Sequence, residues 1–579
     1  MEYIQKKTAD RAVERFLPKA SEKGISLVWD RYEGQIPVCG FGEAGLCCVD
    51  CLQGPCISHP FRDSSKMGVC GKDKDAFASQ SLLRLVLHGT TTYLDQVSDF
   101  ARGVEAGEIT PKNKAKTDQI LKEIRLLLME GGKGMKKEFP KNVVQRWEEA
   151  GIFPEGIARD LFQASRQLNG GVGDGEETLL RAFKASLLGC MAQRLQGSLK
   201  KAVFGNTVPT QVEVNLGNLN TKLPTILLYG YFSPILKGKI AEEAKKKNVR
   251  VMGVCTDPLL PPHRFPPVTS YGSQEIPLMT GAVDLIVVGD HWVNPSLPAI
   301  AKEWDIPVVP TEGLKNGSNR NGFAGEIVEK ARKSFDIRSQ IRRDVPDVRE
   351  SAVMGFSAEK VNMEKILTAL HSGTVKGVAI LSGSNNVKYS QDREVVGLAQ
   401  EFLRNDILCV SEGEASVSLA KYGFLNPDKN DHDIGKGLSA LLPSLGNEIP
   451  SVLDFGSSEN GGVTDFLLSM ARVGKKDIRE VPIRACFAEA NRSSEAAEAL
   501  WMVAMGVPTY FWPALPVTGS LKTMASLSRI CGERFGSGLY IPTEKKTDPQ
   551  AKAKMIIKDL EGGEGPRLAG YDWDQKAQA

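Results

Sequence analysis

Short runs of β-branched and aliphatic residues, separated by helical stretches, occupy the chain from Pro224 onward. The first of these runs are 224-PTILLYG, 249-VRVMGVC, 284-DLIVVGD and 306-IPVVPT. Each run ends in a glycine or a polar turn, as buried strands do. This alternation predicts a parallel sheet covered by helices, which is the Rossmann-like α/β class.

A second series of the same kind follows a charged stretch, 338-RSQIRRDVPDVRESA. Its runs are 376-KGVAILSG, 406-DILCVSEG, 450-PSVLDFG, 480-EVPIRACFAE and 508-PTYFWPAL. Residues from about 75 to 205 instead carry leucine and isoleucine at helical spacing. Because single cores stop growing at roughly 250–300 residues, we predict a multidomain α/β protein. It has a helical domain at 1–212 and two Rossmann-like domains at 213–355 and 356–579.

Composition and charge narrow the functional class. Lys plus Arg number 73 against 70 Asp plus Glu, a net charge of +3, and no basic stripe occurs, so nucleic acid is not expected as a partner. No apolar run has the length of a membrane span, and the N-terminal sequence MEYIQKKTADRAVERF lacks an apolar signal core. We expect a cytoplasmic protein without an integral membrane segment. Thiols stay reduced there, so the 11 cysteines indicate metal binding rather than disulfides.

Six of the cysteines fall between residues 39 and 70. Four of them have the spacing Cys48-x2-Cys51-x4-Cys56-x13-Cys70, which suits the four-thiolate ligation of one [4Fe–4S] cluster. The glycines of this segment allow the turns that fold a loop around a cluster. A structural zinc site with four cysteine ligands is the alternative.

Cys39 and Cys47 remain after that set of four. Two thiolates from each of two chains would complete a second cluster on a two-fold axis, where identical surfaces meet. The protein would then be a homodimer with one Fe–S cluster bridging its subunits. The alternative is that both cysteines only pack.

The complete pattern is C-x-F-G-x-x-G-x-C-C-x-x-C-x-x-G-P-C followed by G-x-C-G, and it resembles the catalytic subunit of anaerobic nickel–iron carbon monoxide dehydrogenase. Further agreements are 80-QSLLRLVLHG, 253-GVCT, 273-SQE, 280-TGAVD, 295-PSL, 385-NN, 456-GS and 516-PVTGS. The resemblance implies a helical domain with Fe–S-binding loops plus two Rossmann-like domains, an architecture shared with the hybrid-cluster proteins. It also implies [4Fe–4S] ligation by the four spaced cysteines and an intersubunit cluster on Cys39 and Cys47.

That family's active site is a nickel–iron–sulfur cluster held by one histidine and five cysteines at strand ends. Carried over by position, one cysteine is present, Cys255 in 253-GVCT. Phenol, indole, hydroxyl and carboxylate groups replace the other ligands, at Tyr229, Trp292, Ser384, Glu414 and Ser458. Because soft thiolates select low-valent nickel and iron sulfide, a nickel cluster is not expected here.

The family's proton-transfer residues are replaced as well. Its histidines correspond to Tyr93 and Gln96, and the lysine expected near residues 492–498 is absent from Arg492-SSEAAE. CO oxidation needs positioned bases that remove protons from water. We therefore expect that CO oxidation is lost.

Three functions stay open, and whether the chain is an enzyme is undecided among them. We favour an iron–sulfur redox protein that passes electrons to a ferredoxin-like or other redox partner. The second is an oxidoreductase with a rebuilt Fe–S–O site, acting on a small substrate such as hydroxylamine. The third is a functional carbon monoxide dehydrogenase, which converts CO and water to CO2 with a ferredoxin-type acceptor. Tentative metal ligands for the second function are Cys255, Glu275 and Glu414, with His263 and His291 as further candidates.

Overall fold

A computed structural model describes residues 6–59, 66–169, 174–311, 320–338, 340–341, 343–429, 433–541 and 548–562. The first part of the chain is helical, with two short strands. Its elements are α1 (Arg11–Glu14), α2 (Leu17–Glu22), α3 (Val28–Glu33), α4 (Gly40–Glu43), β1 (Cys47–Cys48), β2 (Cys56–Ile57), α5 (Lys74–Glu105), α6 (Lys114–Glu130), α7 (Lys141–Glu149), α8 (Ile157–Leu168) and α9 (Gly175–Phe204).

The two long helices α5 and α9 pack along each other and form the centre of this helical part. Each begins at an aspartate whose side chain accepts backbone N–H groups, Asp73 for α5 and Asp174 for α9. Their apolar side chains, such as Leu83 and Leu187, are fully buried. The predicted helical region is confirmed.

The first Rossmann-like part contains a five-stranded parallel sheet with strand order β10-β9-β4-β5-β8. All five residues of β4 are buried, as expected for a strand covered on both faces. The elements are β3 (Thr210–Val214), β4 (Thr225–Tyr229), α10 (Pro234–Lys246), β5 (Arg250–Val254), β6 (Leu259–Leu260), β7 (His263–Arg264), β8 (Pro267–Thr269), β9 (Leu285–Val288), α11 (Leu297–Lys302), β10 (Val308–Pro310) and α12 (Arg320–Arg338).

The second Rossmann-like part contains a six-stranded parallel sheet with strand order β14-β13-β12-β15-β16-β17. Every strand predicted from an apolar run of the sequence is present. The elements are β11 (Glu350–Met354), α13 (Met363–His371), β12 (Gly377–Ser382), α14 (Arg393–Arg404), β13 (Ile407–Ser411), α15 (Gly413–Lys421), α16 (Lys436–Leu445), β14 (Val452–Asp454), α17 (Gly462–Gly474), β15 (Ile483–Phe487), α18 (Ser493–Met505), β16 (Thr509–Phe511), α19 (Leu521–Phe535), β17 (Leu539–Tyr540) and α20 (Pro549–Leu560).

A two-stranded antiparallel ribbon of β3 and β11 joins the ends of the first Rossmann-like part. The predicted boundary at 212/213 falls inside β3, and the boundary at 355/356 follows directly after β11. The multidomain α/β class is confirmed. Among the described residues, no helix combines the length and apolar character needed to cross a bilayer.

Helix α5 meets the beginning of α18 at a close backbone contact. A Cβ atom on Gly89 would lie 2.2 Å from the carbonyl oxygen of Ser493, so only glycine fits this position. The contact places α5 directly against the first turn of α18, which follows Arg492 in the chain. The carboxyl ends of both parallel sheets lie in the same region.

Candidate functional site

The strands β1 and β2 bring three of the predicted cluster cysteines together. Cys48 lies opposite Cys56 in the antiparallel pair, and Cys51 lies in the turn between them. A Cβ on Gly54 would lie 3.2 Å from the nitrogen of Cys56 and 3.3 and 3.5 Å from the carbonyl oxygens of Cys48 and Cys51. The three cysteines therefore surround one small loop that glycine keeps open.

A second loop returns to the same place and carries Cys70. A Cβ on Gly68 would lie 3.6 Å from the Cβ of Cys56, and Cys70 follows two residues later. Both Cys70 and Cys51 are exposed. This arrangement of loops fits a cluster bound by four thiolates at the protein surface.

The Asp50 side chain links the cysteine loop to helix α5. Its carboxylate accepts a hydrogen bond from the Arg84 guanidinium at 2.6 Å and one from the Cys48 thiol at 3.3 Å. Lys72 Nζ lies 3.5 Å from Oδ2 of Asp50, the oxygen that accepts from Cys48. The loop position is therefore set by α5.

Cys39 and Cys47 form a separate pair. Cys39 is exposed and precedes α4, and its thiol lies near that of Cys47. Burial and the nearby Cys39 raise the pKa of Cys47. Two adjacent thiols near the surface supply half of a four-thiolate set, which fits the predicted intersubunit cluster.

The structure does not decide between a cluster and the alternative zinc site. Within the described ranges, no three His, Cys, Asp or Glu side chains are grouped closely enough to hold a metal ion. Zinc would require its four thiolates around a single ion, whereas a [4Fe–4S] cluster offers a different iron to each. The cluster assignment stays a prediction.

The strand ends hold the positions at which the family's nickel cluster would bind. Tyr229 ends β4 and Cys255 follows β5, while Glu414 lies in the first turn of α15 after β13. Cys255 and Trp292 adopt left-handed backbone conformations, with φ of 55° and 65°. Such conformations cost free energy in residues other than glycine and concentrate at functional sites.

These residues do not converge on one centre. A cavity of about 10 Å³ lies at the strand ends, and it is lined in part by Cys255, Trp292, Glu414, Ser458 and Arg492. Tyr229 and Ser384 are buried away from it, and their hydroxyl groups have no hydrogen-bond partner within the described ranges. One thiol therefore faces the cavity.

Arg492 fills the space in front of that thiol. Its guanidinium carbon lies 4.6 Å from the ring centre of Trp292 and 5.1 Å from that of Tyr271. Nη2 lies 3.8 Å from Oε1 of Glu414. Although burial opposes the charge, Glu414 and Cys255 raise the pKa of Arg492, so a full positive charge stands in the cavity.

Glu275 has a different environment from Glu414. Its carboxylate accepts hydrogen bonds from Val28 N at 2.8 Å, from Arg31 at 2.5 Å and from the Ser296 hydroxyl. It therefore binds the beginning of α3 to the first sheet domain. It does not line the cavity, and its role as a metal ligand stays a prediction.

The two candidate histidines also lie outside the cavity lining. His291 is 3.4 Å from Asp95, and His263 is 4.0 Å from Glu242. Both are thus neighbours of carboxylates that belong to other elements. The structure does not bring either histidine to Cys255.

Sequence analysis missed a group of buried carboxyl groups behind the cavity. Tyr93 donates a hydrogen bond to Glu498, and burial, together with Asp454 and Glu495, raises the pKa of Glu412 to about 8. The spacing of glutamates in 492-RSSEAAE was the available signal, since residues three apart share one face of a helix. Tyr93, which the sequence analysis placed at a family histidine position, is thus part of this buried group.

The fold and the cysteine loops together define a class of redox protein with a helical, cluster-binding part and two Rossmann-like parts. Residues 46–129 and 114–544 match the Prismane/CO dehydrogenase family, and the chain belongs to that family. The predicted family is therefore confirmed.

Known relatives extend over nearly the whole chain. Carbon monoxide dehydrogenase 2 of Carboxydothermus hydrogenoformans is 28% identical, with 95% of this chain and 97% of the relative covered. Carbon monoxide dehydrogenase 1 of Methanosarcina acetivorans is also 28% identical, with 96% and 97% covered. The similarity to these relatives therefore extends over nearly the whole chain rather than over one domain.

Solved structures agree with this assignment. Carbon monoxide dehydrogenase IV from Carboxydothermus hydrogenoformans superposes with a TM-score of 0.89 at 27% identity, covering 96% of this chain and 99% of the other. The nickel-free carbon monoxide dehydrogenase from Thermococcus sp. AM4 gives a TM-score of 0.88 at 26% identity, covering 96% and 98%. The chain therefore shares the backbone scaffold of these structures.

Proposed function

We propose that this chain is an iron–sulfur electron-transfer protein on a carbon monoxide dehydrogenase scaffold, with CO oxidation lost. Each subunit holds one [4Fe–4S] cluster, and a second cluster bridges two subunits of a homodimer. The ligands are Cys48, Cys51, Cys56 and Cys70 for the first and Cys39 and Cys47 for the second.

The position of the Arg492 guanidinium is the observation on which the proposed loss of CO oxidation rests. A metal cluster at the strand ends would need the space that the Arg492 guanidinium occupies, and the cavity beside it measures about 10 Å³, which is too small for a cluster of several metal and sulfur atoms. The cavity offers one thiol, Cys255, although nickel–iron–sulfur chemistry needs several soft ligands. The donor set therefore does not fit the nickel cluster.

A second candidate function rests on Cys255 and Glu414, which line the same cavity. Burial and the Glu414 carboxylate raise the pKa of the Cys255 thiol, and a mixed thiolate and carboxylate pair could begin an Fe–S–O site. Such a site would make the chain an oxidoreductase for a small substrate such as hydroxylamine. Arg492 opposes this site because its side chain takes up part of the same cavity.

Exposed apolar side chains around the cysteine loops support partner contacts. Val49, Leu52, Met67 and Val69 are between 58% and 104% exposed in the single chain. Clustered exposed apolar groups mark protein–protein contact sites. We assign this surface to the second subunit and expect a ferredoxin-like or other redox protein to exchange electrons with the dimer.

Metal analysis of the anaerobically purified protein tests the proposal. We expect about six irons per chain, that is, one [4Fe–4S] cluster plus half of a shared cubane. We also expect no nickel and no CO-dependent reduction of a viologen dye. Stoichiometric nickel with CO-dependent reduction would refute the loss of CO oxidation, and additional iron would favour the Fe–S–O site.

Cysteine variants test the ligand assignment. Cys56→Ser should remove about four irons per chain, because a cubane needs four thiolates. Cys190→Ser is the matched control, since Cys190 is buried within α9 away from the loops. Equal iron content in both variants would contradict the assignment.

A further inference from the structure

Asp50 places a negative charge next to one of the predicted cluster ligands. Its Oδ2 atom lies 3.3 Å from the sulfur of Cys48, and its side chain is only 10% exposed. In the structure the Cys48 thiol donates its proton to this oxygen. A cysteine that binds a metal does so as the thiolate, so Cys48 cannot donate to Asp50 once it holds iron. The carboxylate then depends on other donors.

Two cations hold this carboxylate in place. Arg84, on α5, donates to Oδ1 of Asp50 at 2.6 Å, and Lys72 Nζ lies 3.5 Å from Oδ2. Lys72 is itself fixed, because its ammonium group also donates to the carbonyl oxygen of Leu168 at the end of α8, at 3.0 Å, and its side chain is only 11% exposed. One anion and two cations therefore have defined positions beside the cysteine loop.

Fixed charges of this kind act on the reduction of a cluster. Reduction adds one electron, and the reduction potential of an Fe–S cluster depends on nearby charge, on hydrogen bonds to its sulfurs and on exposure to solvent. A neighbouring anion opposes the added electron, and a neighbouring cation favours it. Because Asp50 and Lys72 are largely buried, water and salt weaken their effect much less than that of surface charges.

We propose that Asp50 and Lys72 set the reduction potential of the [4Fe–4S] cluster of the cysteine loops, in opposite directions. Asp50 lowers the potential and Lys72 raises it. Asp50 is a positioning residue rather than a ligand, because it acts on the cluster through Cys48. The inference rests on the proposed function, since it requires that these loops bind a redox-active cluster.

Redox titration of the full-length, anaerobically purified protein, followed by electron paramagnetic resonance, tests the proposal. The Cys39→Ser, Cys47→Ser double variant identifies the signal of this cluster, because it should lack the cluster shared between subunits. Asp50→Asn should raise the ratio of reduced to oxidised cluster at a given potential about tenfold, which is a shift of about +59 mV for one electron. Lys72→Met should lower this ratio about threefold to tenfold.

The opposite signs separate an effect of charge from damage to the loop. Loosening of the loop by either substitution would expose the cluster to water and shift its potential in the same direction in both variants. Shifts of equal sign, or no shift in either variant, would overturn the proposal. If Asp50→Asn no longer retains the cluster, the sign of the shift in Lys72→Met decides.

Asp465→Asn is the matched control, because Asp465 is also held between an arginine and a lysine. Arg194 Nε and Nη2 lie 3.1 and 3.0 Å from Oδ1 of Asp465, and Lys201 Nζ lies 3.2 Å from Oδ2. This group joins α9 to α17, outside the cysteine loops. The cluster potential should be unchanged in this variant. A shift equal to that of Asp50→Asn would overturn the assignment to Asp50.

The same titration keeps the proposed function and this inference apart. A parent protein without a reducible [4Fe–4S] cluster, for example one with zinc in its place, would refute the proposed function and the inference with it. A parent protein that contains the cluster, at a potential that neither Asp50→Asn nor Lys72→Met changes, would refute the inference alone.

Discussion

The residues that stand at the family's ligand positions differ in what they do. Tyr229 and Ser384 are buried in the protein interior, whereas Glu414 and Ser458 line the cavity beside Cys255. Arg492, which the ligand pattern does not include, contributes the central charge. The cavity therefore presents a guanidinium beside one thiol and one carboxyl group.

Glu412 gives the cavity region a pH dependence. It is buried and its side chain makes no capping hydrogen bond at the beginning of α15, and burial raises its pKa to about 8. The folded protein therefore keeps a proton that the unfolded chain releases near pH 4.5. Stability should fall as the pH rises from about 4.5 to 8.

The Glu412→Gln variant should remove this dependence. At pH 8.5 we expect its apparent thermal midpoint to exceed that of the parent protein by about 2–4 °C, with a smaller difference at pH 6. Glu148→Gln is the control, because Glu148 is exposed and pairs with Lys136 at the surface. A Glu412→Gln variant that gains equally at both pH values would contradict the assignment.

The residues of the cavity could be predicted from the sequence only in part. Cys255 follows an apolar run and was found from its motif. Arg492 was noted only as the place of a missing lysine, because its partners Trp292, Tyr271 and Glu414 come from three other loops. A single sequence does not show which loops meet.

At the level of helices, the close contact between α5 and α18 leads to a prediction about substitution of Gly89. Ala normally stabilises a helix interior relative to Gly by about 0.5–1 kcal/mol. Gly89→Ala should instead destabilise the protein, because its Cβ would lie 2.2 Å from the Ser493 carbonyl oxygen. Thermal unfolding of the variant and of the parent protein measures this effect.

Gly532→Ala is the matched control in α19. A Cβ at Gly532 would meet no atom within 4 Å, so helix propensity alone should act. We expect an equal or slightly higher thermal midpoint. A loss of stability as large as that of Gly89→Ala would show that the close contact is not the cause.

Strands were predictable where burial imposes a continuous apolar run, as in β4 and β12. The ribbon of β3 and β11 was missed, because 210-TQVEV carries polar residues and its partner lies about 140 residues away. β17 is only two residues long. Pairing over such distances is decided by the tertiary fold and leaves no local pattern.

For the whole molecule, the pair of Cys39 and Cys47 predicts how iron content and assembly are linked. A Cys39→Ser, Cys47→Ser double variant should lose about two irons per chain and keep the cluster of the Cys48 set. The dimer should also dissociate more readily, because a bridging cluster no longer joins the subunits. Iron analysis with sedimentation measures both. Loss of all iron would contradict two independent ligand sets.

Helix α5 begins four residues after Cys70 and contacts the first residue of α18, Ser493, at Gly89. Fifteen residues of helix measure about 22 Å, and Arg84, between these two points, binds the cysteine loop through Asp50. The spacing between the cysteine loops and the beginning of α18 is therefore a property of the backbone. Replacement of side chains at the strand ends would leave that spacing unchanged.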